Sequence, residues 1–115
     1  MNLKADIWVK ALIRRADVAN VPAMVVRRGN GEAGTIYVKV ARLDGTADVY
    51  GPTWGEDGSR IWMHSVSEEP VPEADADAYL ARQEKFDPDF WVVEIEDRQG
   101  RHFLTEPVKG DPPSV

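Results

Sequence analysis

An α+β two-layer sandwich is the fold this sequence predicts, with a mainly antiparallel sheet and two helices on one face. Three observations lead there. Apolar residues recur at helical spacing in two stretches, 4–19 and 72–86. Between and after them lie short alternating runs rich in Val, Ile, Tyr and Trp, bounded by Gly, Pro and Asp. The turns between those runs are short, which makes neighbouring strands antiparallel.

The elements follow in order. Residues 4–19 place Trp8, Leu12 and Ala16 four apart, with Arg14 and Arg15 late, where cations favour a helix's carboxyl end. A competing strand reading of the first half rests on the alternation of Ile7, Val9, Ala11 and Ile13. Asn20 and Pro22 end the element. Ala23 to Arg28 and Thr35 to Val40 read as strands joined by a glycine-rich hairpin bend. Asp44-Gly45 is a hairpin turn that delivers Thr46 to Tyr50 as a third strand. Gly51 to Ser59 reads as a loop, and Arg60 to Val66 as a fourth strand. Pro72 opens the second helix. Its acidic start (Glu73, Asp75, Asp77) and basic end (Arg82, Lys85) complement the macrodipole. Ala76, Tyr79, Leu80, Gln83 and Phe86 outline its inner face. Phe90 to Asp97 is the longest strand candidate, and Arg101 to Leu104 returns beside it after Gln99-Gly100. One domain therefore spans residues 1–106, with a flexible tail over 107–115. The uncovered sheet face would carry Tyr37, Lys39, Asp48, Tyr50, Glu94 and Glu96.

Composition narrows the function classes. The chain has 115 residues, 14 basic and 20 acidic side chains, a net charge of −6 and no cysteine. The acidic balance disfavours nucleic acid and anionic membranes as partners. Absence of cysteine removes disulfides and thiolate chemistry and accords with a cytoplasmic location. Lys4, Asp6 and Lys10 interrupt any signal-like apolar run. No segment approaches the roughly 20 apolar residues a membrane helix needs.

Gly29-Asn30-Gly31-Glu32-Ala33-Gly34 spells a dinucleotide-binding pattern. That chemistry needs a helix to begin at the last glycine, because the helix amino end supplies N–H groups and positive dipole to a phosphate. A strand follows instead, so the segment reads as a bend in which glycine supplies positive φ. Anion capture there would draw on Gly29, Gly31 and Gly34 together with Arg14, Arg15, Arg27 and Arg28, whose forked guanidinium groups suit carboxylate or phosphate. Glu68, Glu69, Glu73, Asp75 and Asp77 fit no calcium loop and are better explained by the helix start. His64 and His102 lie in no ligand-spaced motif, and no Gly-x-Ser-x-Gly surrounds Ser65 or Ser67. No catalytic residues, metal ligands or cofactor follow from the pattern. Trp54 stands in a polar stretch, where an exposed indole is a typical contact anchor.

Several segments taken together resemble one family: Ile7-Trp8-Val9-Lys10-Ala11, Val25-Val26-Arg27-Arg28-Gly29, Arg42-Leu43-Asp44-Gly45, Pro70-Val71-Pro72-Glu73-Ala74, and Asp87-Pro88-Asp89-Phe90-Trp91-Val92. The family is domain-of-unknown-function family 1491, short uncharacterised alphaproteobacterial proteins. The resemblance covers nearly the whole chain and brings no activity, cofactor or site residues with it. The residues therefore favour a non-enzymatic protein-interaction module, using Tyr37, Tyr50 and Trp54 to dock on another protein or on a second copy. The alternative is a domain that binds an anionic small molecule or nucleotide through its clustered arginines.

Overall fold

The computed structural model describes residues 4–111 of the chain. Its elements are α1 (Ala5–Val18), β1 (Ala23–Arg27), β2 (Ile36–Ala41), β3 (Thr46–Trp54), β4 (Arg60–His64), β5 (Val71–Pro72), α2 (Glu73–Gln83) and β6 (Trp91–Glu96). The fold is α+β. The sheet runs β1-β6-β2-β3-β4, with β5 paired to β3, and is mostly antiparallel. Among the strands named here, β2 and β6 are the one parallel pair in the described residues. Parallel neighbours need a long crossover, and β3, β4, β5 and α2 together provide it.

Residues 5–18 form a helix, so the strand alternative for its first half falls away. Trp8, Val9, Leu12 and Ala16 are buried along one stripe, while Ile7 is 48% exposed. The helix ends in a left-handed cap. Asn20 has φ 60°, its N–H donates to the Asp17 carbonyl, and the Val21 N–H donates to the Ala16 carbonyl.

The expected hairpin between β1 and β2 is absent, because β6 lies between them. β1 pairs antiparallel with β6, through Ala23 opposite Ile95 and Val25 opposite Val93. The reason is burial. β6 carries Trp91, Val93 and Ile95 on one face and Val92 on the other, all buried. A strand that is apolar on both faces belongs in the interior of a sheet. The glycine segment thus steps over the start of β6. The Asn30 N–H donates to the Asp89 carbonyl at 3.2 Å. The Trp91 indole N–H donates to the Asn30 carbonyl at 2.8 Å. A Cβ on Gly29 would come within 2.7 Å of Phe90 C and Trp91 Cδ1, and one on Gly34 within 2.6 Å of the Asp89 oxygen. These glycines permit close backbone approach. Positive φ belongs instead to Gly45, Gly58, Gly100 and Gly110.

The helices cover opposite faces of the sheet rather than one. α1 packs on Ile36, Val38, Val40, Trp62, Trp91, Val93 and Ile95. Ala76 and Leu80 of α2 pack with Ala47, Val49, Phe90 and Val92. In β2, β3 and β6 apolar side chains occupy both parities, so each face needs its own cover. Other segments differ from expectation as well. β3 continues to Trp54 and pairs Gly51–Trp54 with Arg60–Met63. Residues 101–104 form no strand; Phe103 and Leu104 pack against the α1 cluster. Phe86, expected on the inner face of α2, lies beyond the helix end and is 80% exposed. Residues 107–109, expected in a loose tail, run beside β4 with Val108 buried; residues 112–115 of that tail lie outside the described chain.

Candidate functional site

The four arginines diverge. Arg14 lines a groove beside Val21–Met24. Arg15 turns the other way, and its Nε donates to the Phe103 carbonyl at 2.9 Å. Burial draws its pKa down, opposed by the Glu106 charge. Arg27 donates to Glu84 at 3.0 Å and to the Pro88 carbonyl at 2.9 Å, and lies over the Phe90 ring. Arg28 lies over Trp91 at 5.2 Å. Neighbours on a strand alternate faces, so Arg27 and Arg28 part company. Among the described residues, neither the groove beside α1 nor the cleft around His64 and His102 is lined by more than one of the four.

Four N–H groups of the glycine segment, those of Asn30, Glu32, Ala33 and Gly34, are bonded within the protein. Glu32 and Ala33 donate to Asn30 Oδ1 at 2.9 and 3.1 Å, and Gly34 donates to the Asn30 carbonyl. The Gly31 and Glu32 carbonyls accept from Asp6 and Ala5, the first N–H groups of α1. The segment therefore caps a helix start with carbonyls, the reverse of what a phosphate cradle presents.

Tyr37, Tyr50 and Trp54 share no surface. Tyr37 sits edge-on to Tyr79 and Phe90 beneath α2. Tyr50 is 3% exposed, between the His64 and His102 rings at 4.8 and 5.0 Å. Burial, then the Asp48 and Asp111 charges, pushes its phenol well above the ordinary range. Trp54 is 72% exposed at the end of β3.

Two polar constellations escaped the sequence reading. The first is Lys39, expected on an open face but only 3% exposed. Its Nζ lies 2.7 Å from Glu73 and Asp77 and 3.1 Å from Glu94. Burial alone would lower its pKa, but the three carboxylates outweigh that and raise it. Two acidic side chains four apart at the start of α2 therefore pin that helix to β2. The second is a cleft of about 670 Å³ bordered by Arg42, Tyr50, His64, Arg101, His102 and Asp111. His64 Nε2 and His102 Nε2 stand 3.4 and 3.1 Å from the two Asp111 oxygens. This clasp holds the end of the 107–111 segment against β4. Within the cleft Asp48 is buried and accepts from Arg42 Nε at 2.8 Å. Arg42 and Asp48 meet across the Asp44-Gly45 turn, whereas the Lys39 and His64 contacts join distant chain segments, which no local spacing could reveal.

The sheet's two edges are unequal. Along β4, the Trp62 N–H donates to the Pro107 carbonyl at 2.9 Å and the Lys109 N–H donates to the Trp62 carbonyl at 2.7 Å. Along β1, no strand among the described residues lies beyond the edge. Met24, Val25 and Val26 are 36%, 38% and 54% exposed. Val26 is the extra residue of a bulge, since Val25 faces Val93 and Arg27 faces Val92. Beside the edge runs a groove of about 690 Å³ between α1 and residues 21–24, lined by Ile7, Lys10, Ala11, Ile13, Arg14 and Asp17. An exposed edge with apolar side chains and unpaired peptide groups is a template for an incoming strand.

No helix among the described residues is long and apolar enough to cross a membrane. No curated protein matches the chain. Solved structures resemble it, among them the following three. A crystal structure of a DUF1491 family protein from Caulobacter crescentus CB15 has a TM-score of 0.86 and 51% identity, covering 94% of this chain and all of the other. An NMR structure of a DUF1491 family protein from the same organism gives 0.82 and 51%, covering 96% and 99%. A solution structure of a protein from A. tumefaciens gives 0.80 and 32%, covering both chains fully. The family model described as "Protein of unknown function (DUF1491)" matches residues 3–105. Sequence pattern, fold and relatives agree, and the chain belongs to the DUF1491 family.

Proposed function

We propose that this chain is a non-enzymatic docking domain that receives an extended polypeptide segment along β1. One observation carries the reading: the β4 edge is closed by residues 107–109, while among the described residues no strand pairs with the β1 edge, which exposes three consecutive apolar side chains. Main-chain hydrogen bonds would supply affinity, and the groove beside α1 would sort side chains. This moves the docking surface from Tyr37, Tyr50 and Trp54 to Met24, Val25 and Val26. The anionic-ligand alternative has less support, because the four arginines go to separate places and the Asn30, Glu32, Ala33 and Gly34 N–H groups of the glycine segment are bonded internally.

Selection from a displayed library of short random peptides tests the proposal. The expected outcome is enrichment of alternating, strand-forming sequences whose binding perturbs the amides of Ala23–Arg27. Binders that map to the histidine cleft or to Trp54 would contradict it. A thermal-shift series with phosphate, ATP, NAD and dicarboxylates checks the alternative. Binding at 100 times the dissociation constant would add about 2.7 kcal/mol, and no shift is expected.

A further inference from the structure

Resting on the docking reading above, we infer that the segment received by β1 is acidic: an extended stretch of another protein in which Glu or Asp alternates with apolar residues. The charge distribution of the chain carries this. Residues 7–28 hold five of the 14 basic side chains and one of the 20 acidic ones, a local balance of +4 in a chain of net −6, which leaves −10 elsewhere. That stretch runs from Ile7 in α1, through residues 19–22 and β1, to Arg28 just past the strand, and so takes in most of the two elements that border the open edge.

The basic groups are not all consumed by the fold. Arg15 and Arg27 are engaged, with the Phe103 carbonyl and with Glu84. Lys10, Arg14 and Arg28 form no ion pair among the described residues. Lys10 and Arg14 stand one helical turn apart on the wall of the groove, and Asp17 is the only acid lining it. A strand laid on β1 would point alternate side chains toward α1. Carboxylates at those positions would meet Lys10 and Arg14. Apolar residues on the intervening positions match Met24, which pairs with Glu94 on the other face, while Val25 shares the α1 face with Ala23.

The same charges weigh against a second copy as the occupant. Pairing β1 with β1 of another molecule would bring two +4 segments together, and like charges across an interface cost affinity. Nucleic acid would satisfy the cations but not the exposed Met24-Val25-Val26 run.

Fluorescence anisotropy on the full chain tests the inference. The probes are a labelled peptide of alternating Glu and Val, its Lys–Val counterpart, and an N-methylated Glu–Val peptide that cannot complete edge hydrogen bonds. The expected result is that Glu–Val binds at least tenfold tighter than Lys–Val. Combined Lys10→Glu and Arg14→Glu substitution should reverse that order. Val25→Pro should abolish binding: Glu96 bonds the Pro22 carbonyl, so the alternation along β1 turns the Val25 N–H away from β6, and proline removes that edge donor. The N-methylated peptide should fail on the unaltered chain, which makes the same point without relying on a variant's folding. Equal binding of both peptides, lost with N-methylation, would overturn the acidic partner and leave edge docking intact. Binding unaffected by N-methylation, or no binding at all, would overturn both. Displacement of Glu–Val by oligo-dT at lower concentration would overturn the inference in favour of nucleic acid. A concentration-dependent dimer that excludes the peptide would overturn it in favour of self-pairing.

Discussion

The β4 and β1 edges of this sheet begin with the same problem and meet it differently. Both are short strands with polar backbone left over. At β4 the chain returns to cover the edge: residues 107–109 bond the Trp62 backbone, and Val108 enters the core. At β1 nothing among the described residues returns, and a bulge with flanking arginines is the only device against indiscriminate pairing. Natural proteins usually cover or charge an edge. One that is apolar along its strand and basic along its border suits selective pairing better than avoidance.

The contrast can be broken first at its closed side. Trp62 is fully buried, stacks on Trp8 with centroids 5.1 Å apart, and donates its indole N–H to Glu106 at 3.0 Å. Trp62→Ala should cost about 3–5 kcal/mol, measured by urea denaturation, and should free residues 107–109 to exchange with solvent. No comparable loss is expected from any single truncation along β1.

Next in size is the pin on the α2 face. Lys39→Met removes the cation from three carboxylates, two of them well exposed, so solvent moderates the loss to about 1–3 kcal/mol. The sign with pH follows from the raised Lys39 pKa. Its contribution is complete below an unfolded value of about 10.4 and declines as pH rises toward the folded value. The raised Tyr50 pKa acts in the same direction, because the unfolded phenol releases its proton first. Stability should therefore fall above about pH 10, and Lys39→Met or Tyr50→Phe should each flatten that fall. A stability curve from pH 8 to 11.5 on the variants reads this directly.

A third test separates the glycines. Gly29→Ala drives a methyl group into the backbone at Asp89 and Phe90 and should cost about 1–3 kcal/mol. Gly31→Ala meets nothing nearer than 3.8 Å, with ordinary φ, and should change stability by less than about 0.5 kcal/mol. A dinucleotide loop would be sensitive at all three glycines; a crossing of two backbones is sensitive only where they touch. The smallest effect belongs to the open edge itself. Val26→Lys on this exposed bulge should lie within about 0.5 kcal/mol of the unaltered chain in thermal unfolding, while weakening capture of any strand.

The α+β class, both helices and most strands were legible because their signals are local. The Trp8-Leu12-Ala16 spacing, the Asp44-Gly45 turn and the acidic start of α2 each lie within a few residues. The arrangement of the layers was not legible. Whether β6 enters between β1 and β2 depends on contacts some 60 residues apart in sequence, such as that between the Asn30 carbonyl and Trp91. The one available hint was Val92, which breaks the alternation of Trp91, Val93 and Ile95 and marks a strand buried on both sides. The supposed open face failed for a related reason. Lys39 reads as surface until Glu73 and Asp77 of a distant helix are seen to enclose it. The candidate edge was half legible: the basic bias of residues 7–28 is plain in the sequence, but its place on an unpaired edge is a property of the topology.

Amide hydrogen exchange on the free chain, followed residue by residue along β1 and β4, distinguishes an open edge from an occupied one. The Trp62 amide should be protected by the Pro107 carbonyl, whereas the amides of Ala23–Arg27 that point away from β6 should exchange rapidly at every protein concentration. Uniform protection across Ala23–Arg27 in the isolated chain would mean that this edge is already occupied, and would contradict the docking proposal.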